Sequence, residues 1–188
     1  MGAVVEHIAG VHDTVIGLAN LLVMFDPEIV DAAQFERTLM DLWISAPEIA
    51  TSEQVMEIKV EYGGDYGPDL EFVAAHAGIS EAEVVRLHQT AQYRVYALGS
   101  SPGFAYLGGL PEKIATPRRD IPILRAEAGS VMIGGSQTGV TSTAGPTGWY
   151  VIGRAQRRLF DPFSEEPCVL SPGDHVVFKG VDTKDASS

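Results

Sequence analysis

Arg94-Val-Tyr-Ala-Leu-Gly-Ser-Ser-Pro-Gly-Phe-Ala-Tyr-Leu-Gly-Gly109 marks the place where the pattern of this 188-residue chain changes. A short apolar run, Arg94 to Leu98, breaks into Gly- and Pro-rich turns. Similar short runs follow at Ser130–Ile133, Trp149–Ile152 and His175–Phe178. Short strands separated by dense turns predict a compact β-barrel or sandwich. Residues 99–153 hold 11 of the 20 glycines.

The half before this point reads differently. Asn20 to Phe25 is a buried-strand pattern. Asp26-Pro27 is a helix-start signal with Pro27 at the first helical position. Phe35, Leu39, Leu42 and Trp43 then trace one apolar helix face, and Pro47 ends the unit. Val55 to Glu61 alternates as a strand. Pro68 opens a helix over Asp69 to Ala77, Gly78 closes it, and Ser80 with Glu83 forms a capping box for a second helix.

Charge divides the chain at the same place. Residues 1–93 carry 16 acids against Arg37, Lys59 and Arg86, a net −13, whereas residues 94–188 carry ten bases against nine acids. Two charge regimes predict two domains, an N-terminal α+β domain over 1–93 and an all-β barrel over 94–182, with a disordered tail at 183–188. The paired helices of 69–90 have helix-turn-helix spacing, but the second would turn Glu81 and Glu83 toward phosphates. An acidic half excludes nucleic acid and anionic membranes as partners. The apolar stretch Val15 to Phe25 is too short to span a bilayer. A single cysteine, Cys168, and no secretory pattern at the N-terminus predict a cytoplasmic protein.

The glycine-rich half holds the candidate chemistry. Gly103 lets backbone approach a ligand, with Phe104 and Tyr106 as a flat platform; a tight inter-strand loop is the plain alternative. Arg118 and Arg119 suit carboxylate or phosphate, or are solvated surface cations. Gly135, Gln137 and Thr138 offer donors to a substrate amide or a developing oxyanion. His88 ends an apolar helix face, either as a hydrogen-bonded core histidine or beside a ligand. No metal-ligand spacing, Walker A loop or Ser–His–Asp context is present.

Eight stretches occur in one order: Glu61-Tyr-Gly-Gly-Asp-Tyr-Gly-Pro-Asp-Leu70, Val85-Arg-Leu-His88, Pro102 to Gly109, Ala115-Thr-Pro-Arg-Arg119, Gly129-Ser130, Gly135-Ser-Gln-Thr-Gly139, Gly148-Trp149 and Ile152-Gly-Arg154. Together they resemble the allophanate hydrolase subunit 1 family, which includes the B subunit of 5-oxoprolinase and the kinase inhibitor KipI. The resemblance implies that the barrel is cyclophilin-like. It also implies an ATP-dependent hydrolase of small amides, active as a complex. The partner is a homologue of allophanate hydrolase subunit 2 or of the 5-oxoprolinase C subunit, joined in the 5-oxoprolinase version by a third component, its A subunit. ATP then binds the complex, and no metal set is expected in this chain. Gln137, Thr138 and Arg118 become catalytic candidates. His88, Gly103, Phe104, Tyr106, Arg119, Gly135 and Trp149 become substrate-binding candidates. The KipI branch implies the alternative, a regulator that binds and inhibits a sensor histidine kinase. Ser100, Val140-Thr141 and Thr147 depart from the family pattern, which has aromatics at the first two places and glycine at the third. The N-terminus reads as lacking the family's first strand and helix.

Overall fold

A computed structural model of the chain describes residues 2–17, 20–45 and 55–181. The chain forms two compact units, Met1–Thr51 and Ser52–Ser188. The boundary thus falls well before the 93/94 position at which the charge changes. Pro47 and the tail 183–188 lie outside the described residues.

The first unit contains α1 (Gly2–Val5), β1 (Val11–Ile16), β2 (Leu21–Phe25) and α2 (Ala32–Ser45), with β1 and β2 antiparallel. α2 does not start at Pro27. Asp26 instead accepts from the Glu28 N–H at 2.8 Å, which makes a local turn. Asp31 caps the helix, accepting from the Gln34 N–H at 2.7 Å. Phe35 is buried edge-on to Phe25, their ring centroids 5.3 Å apart. Trp43 is not part of the buried face and is 66% exposed. At eight residues beyond Phe35 it is turned about 80° away around the helix.

The second unit is built on a closed barrel. Its elements are β3 (Val55–Tyr62), α3 (Leu70–Ala77), α4 (Glu81–Thr90), β4 (Tyr93–Leu98), β5 (Ala105–Gly108), β6 (Ile123–Ala126), β7 (Ser130–Gly134), β8 (Gln137–Val140), β9 (Gly145–Thr147), β10 (Tyr150–Ala155) and β11 (His175–Gly180). Seven strands close in the order β10-β3-β11-β4-β5-β8-β7. β3 and β11 are parallel and the remaining pairs antiparallel. Residues 94–182 therefore do not make the barrel alone, because β3 fills the gap between β10 and β11. Nor is the unit all-β: Leu70 and Val73 of α3 and Val84 of α4 join Ile58, Val60, Ile133 and Phe178 in one core.

The helix ends follow their local signals. Gly78 caps α3 in the left-handed region, φ 65°, and donates back to the Ala74 and Ala75 carbonyls. Ser80 accepts from the Glu83 N–H at 3.2 Å. The capping box is only half made, since the Glu83 carboxylate binds Arg86 instead. β5 and β8 lie inside the glycine-rich segment, where glycines obscure the alternation that marks strands. β6 and β9 form a separate two-stranded ribbon. Among the described residues, no helix is long and apolar enough to cross a membrane.

Candidate functional site

Three aromatics from separate parts of the glycine-rich segment form one wall. Phe104 leads into β5, Tyr106 lies within it, and Trp149 leads into β10. Their rings meet edge-to-face, with centroids 4.7 Å apart for Phe104–Tyr106, 5.8 Å for Phe104–Trp149 and 5.9 Å for Tyr106–Trp149. Two glycines make this possible. A Cβ at position 134 would lie 2.4 Å from Trp149 Cδ2, and one at position 139 would lie 2.9 Å from Phe104 Cζ. Gly134 and Gly139 thus seat the aromatic wall by leaving space for it.

A pocket of about 530 Å³ opens on this wall. The β6–β9 ribbon contributes Ala126 and Gly145 to Thr147 to its lining, and Ser100, Thr141 and Thr143 add hydroxyls. Arg118 lies over the Trp149 ring, 5.5 Å from the centroid, and makes no ion pair among the described residues. Arg119 also borders the pocket, but its charge is engaged. It pairs with Asp69, donates to the Trp149 carbonyl at 3.4 Å and lies 4.3 Å from the Tyr150 ring centroid. Tyr150 in turn stacks on Phe72 at 4.4 Å. Arg119 is a staple between α3 and β10, whereas Arg118 is a cation available to a ligand.

The pocket rim is strained at Ser100, which has φ 64° and is the one non-glycine with positive φ among the described residues. The Ser101 N–H donates across it to the Gly99 carbonyl at 2.8 Å, a three-residue turn of the unfavourable hand. Such strain costs about 1–3 kcal/mol and concentrates at functional surfaces.

Five of the expected site residues lie elsewhere. His88 and Thr138 are fully buried in the barrel interior. Thr138 Oγ1 donates to the Met132 carbonyl at 2.9 Å, so it accepts from His88 Nε2, also at 2.9 Å. His88 is then the neutral Nε2–H tautomer, and its Nδ1 accepts from the Tyr62 hydroxyl at 2.8 Å. The Tyr93 hydroxyl donates to the His88 carbonyl at 2.9 Å. Burial lowers the His88 pKa to about 3, and burial pushes both tyrosines above their ordinary values. The network satisfies every member, so Thr138 and His88 hold the barrel together rather than meet a ligand in this pocket.

Gln137 begins β8 and is not part of the pocket lining; its Nε2 is buried without a partner. Gly103 turns the chain into β5 at φ 74°, with Phe160 so close that an added Cβ would lie 2.7 Å from its Cβ. Gly135 exchanges backbone hydrogen bonds with Thr116, at 2.7 and 3.2 Å. Neither glycine lines the pocket.

Phe104, Tyr106, Arg118, Arg119 and Trp149 are therefore brought together, while His88, Gly103, Gly135, Gln137 and Thr138 are not. Residue-type reasoning missed Ser100, Thr141, Thr147 and Met132 as lining residues. The first three are among the positions that depart from the family pattern, and that departure was the signal available. Among the described residues, no group of three or more His, Cys, Asp or Glu could hold a metal ion.

An aromatic-walled pocket bordered by a guanidinium without an ion pair among the described residues thus lies on the closed-barrel unit. The chain belongs to the carboxyltransferase domain, subdomain C and D, family, whose model matches residues 2–170. It is 47% identical over 178 residues to the B subunit of 5-oxoprolinase from Escherichia coli O157:H7, covering 95% of this chain and 78% of that one. It is 41% identical over 158 residues to the B subunit of 5-oxoprolinase from Bacillus subtilis (strain 168), covering 82% and 66%. Among solved structures it resembles TTHA0988, with a TM-score of 0.80 and 35% identity, covering 96% of this chain. This chain spans only 35% of that longer one. The family resemblance read from the ordered motifs is borne out.

Proposed function

We propose that the chain is one subunit of an ATP-dependent amide hydrolase of the 5-oxoprolinase type, in which the Trp149 pocket forms half of the substrate site. The observation that carries this reading is the similarity to proteins named as the B subunit of 5-oxoprolinase, joined to a pocket suited to a small cyclic amide with a carboxylate. The barrel is of the cyclophilin-like kind. The aromatic wall covers a flat ring, the Arg118 guanidinium takes the carboxylate, and the Ser100, Thr141 and Thr147 hydroxyls meet the amide.

Among the described residues, the pocket lining contains no His, Cys, Asp, Glu or Lys, so they offer it no general base at neutral pH. The groups that move protons then come from partners, homologues of the C and A subunits of 5-oxoprolinase. The lining does not fit ATP either. One unpaired guanidinium and no lysine are a poor match for a triphosphate, so nucleotide chemistry belongs to those partners. A cytoplasmic setting supplies that nucleotide.

The test is ATP-dependent 5-oxoproline hydrolysis by the complex reconstituted with homologues of the A and C subunits. Arg118→Gln is expected to raise KM roughly tenfold or more, the usual effect of removing a charged hydrogen bond to substrate, with little change in stability. Absence of turnover with the wild-type chain, or unchanged kinetics in the variant, overturns the assignment. Capture of a sensor histidine kinase without any amide turnover replaces it with the regulatory reading.

A further inference from the structure

Two of the ordered motifs, Glu61 to Leu70 and Ile152 to Arg154, contain three side chains, Glu61, Tyr66 and Arg154, that belong to neither the first pocket nor the His88 network. These side chains meet at a second pocket, of about 490 Å³, where Glu61, Tyr66 and Arg154 are joined by Ala155 and Gln156. Glu61 and Arg154 stand directly opposite each other on β3 and β10. Opposed charges at such positions commonly pair across the strands. Here they do not.

Gln156 Nε2 donates to Glu61 Oε1 at 2.9 Å, leaving Oε2 without a hydrogen bond among the described residues. The Arg154 guanidinium lies over the Tyr66 ring, 5.1 Å from its centroid. Arg154 Nε is buried with no acceptor, and the side chain makes no ion pair among the described residues. Glu127 is close enough to feel Arg154, but both its carboxylate oxygens are held by Arg125, at 2.6 and 3.2 Å. A cation and an anion therefore border one pocket. Each is held in place by a neutral side chain, and neither is consumed by the other.

We infer that this second pocket binds a free α-amino acid as its zwitterion. Arg154 takes the carboxylate through its forked donors, and Glu61 Oε2 accepts from the ammonium. The Tyr66 ring fixes the guanidinium plane and covers the ligand's apolar portion. A simple anion would meet the Glu61 carboxylate and a simple cation the Arg154 guanidinium, whereas a zwitterion satisfies both. The two pockets thus differ in what they take. No carboxylate lines the first, which suits an acid without an ammonium group, and the second requires the ammonium. This inference does not depend on the reaction proposed for the first pocket.

Calorimetric titration of the purified full chain tests it, with L-alanine and L-glutamate as probes and propionate and glutarate as their deaminated counterparts. Both amino acids are expected to bind better than their counterparts. Arg154→Gln and Glu61→Gln are each expected to weaken amino-acid binding roughly tenfold or more, by loss of a charged hydrogen bond. Arg154→Lys, which keeps the charge and loses the fork, gives an intermediate loss and serves if Arg154→Gln fails to fold. Arg118→Gln leaves amino-acid binding unchanged. Equal affinity for the deaminated acids in the Arg118→Gln chain, where the first pocket has lost its carboxylate partner, overturns the inference. So does the absence of amino-acid binding at millimolar concentration, or a loss caused by Arg118→Gln but not by Arg154→Gln.

Discussion

The imidazole of His88 has a donor at one nitrogen and an acceptor at the other, and no water reaches either. Its pKa in the folded chain, about 3, lies below the ordinary 6.5 of an unfolded histidine. Between those values the unfolded chain binds a proton that the folded chain refuses. The stability from this site is complete above pH 6.5 and is lost as pH falls toward 3. From this residue alone, stability is expected to drop by about 2 kcal/mol between pH 7 and pH 5. Urea midpoints of wild type and His88→Gln measure it: the variant is less stable at pH 7 and has a shallower pH slope. Identical slopes would mean that His88 titrates normally.

Gly134 is a second single-residue control, because the space a methyl would fill is already occupied by the Trp149 ring. Gly134→Ala is expected to cost about 1–3 kcal/mol, the usual range for overpacking, and to alter tryptophan emission. An unchanged urea midpoint and spectrum would show that the ring moves aside freely.

At the scale of elements, Asp69 joins α3 to β10. Its N–H donates to the Val151 carbonyl at 2.9 Å, its Oδ2 accepts from the Val151 N–H at 2.8 Å, and its Oδ1 pairs with Arg119. One carboxylate thereby fixes a helix start, a barrel strand and the loop that carries Arg118 to the pocket. Asp69→Ala removes two acceptors and leaves Arg119 unpaired, and is expected to cost about 2–4 kcal/mol. Asp69→Asn keeps an acceptor for Val151 and costs less. Chemical unfolding of both variants checks the order, and equal losses would assign the whole effect to the ion pair.

At the scale of the whole molecule, β3 decides where the barrel unit begins. It pairs with β11 on one side and β10 on the other. Removing it would leave two open edges whose N–H and C=O groups lack partners. The segment 52–188 is expected to unfold cooperatively in urea followed by far-UV circular dichroism. The segment 94–188, cut where the charge changes, is expected to show no cooperative transition. Cooperative unfolding of the shorter segment would mean that the barrel closes without β3.

The sequence by itself determined the local features and the family. Gly78 and Ser80 cap their helices because those signals act within four residues. The strand at Val55–Tyr62 was legible because β alternation is a local pattern. The aromatic and cationic members of the pocket, Phe104, Tyr106, Arg118 and Trp149, were legible because few residue types stack flat ligands or hold carboxylates. Tertiary structure alone decided what those groups face. Charge and spacing along the chain say nothing of barrel closure, a contact between β3 and strands about a hundred residues away. The same closure buried His88 and Thr138, whose chemistry alone suits a ligand equally well. Arg118 and Arg119 are neighbours of one residue type, yet only Arg119 finds a carboxylate, because Asp69 comes within reach only when α3 packs on β10. Burial and partner choice are properties of the folded surface, and it is these that separate the free cation from the staple.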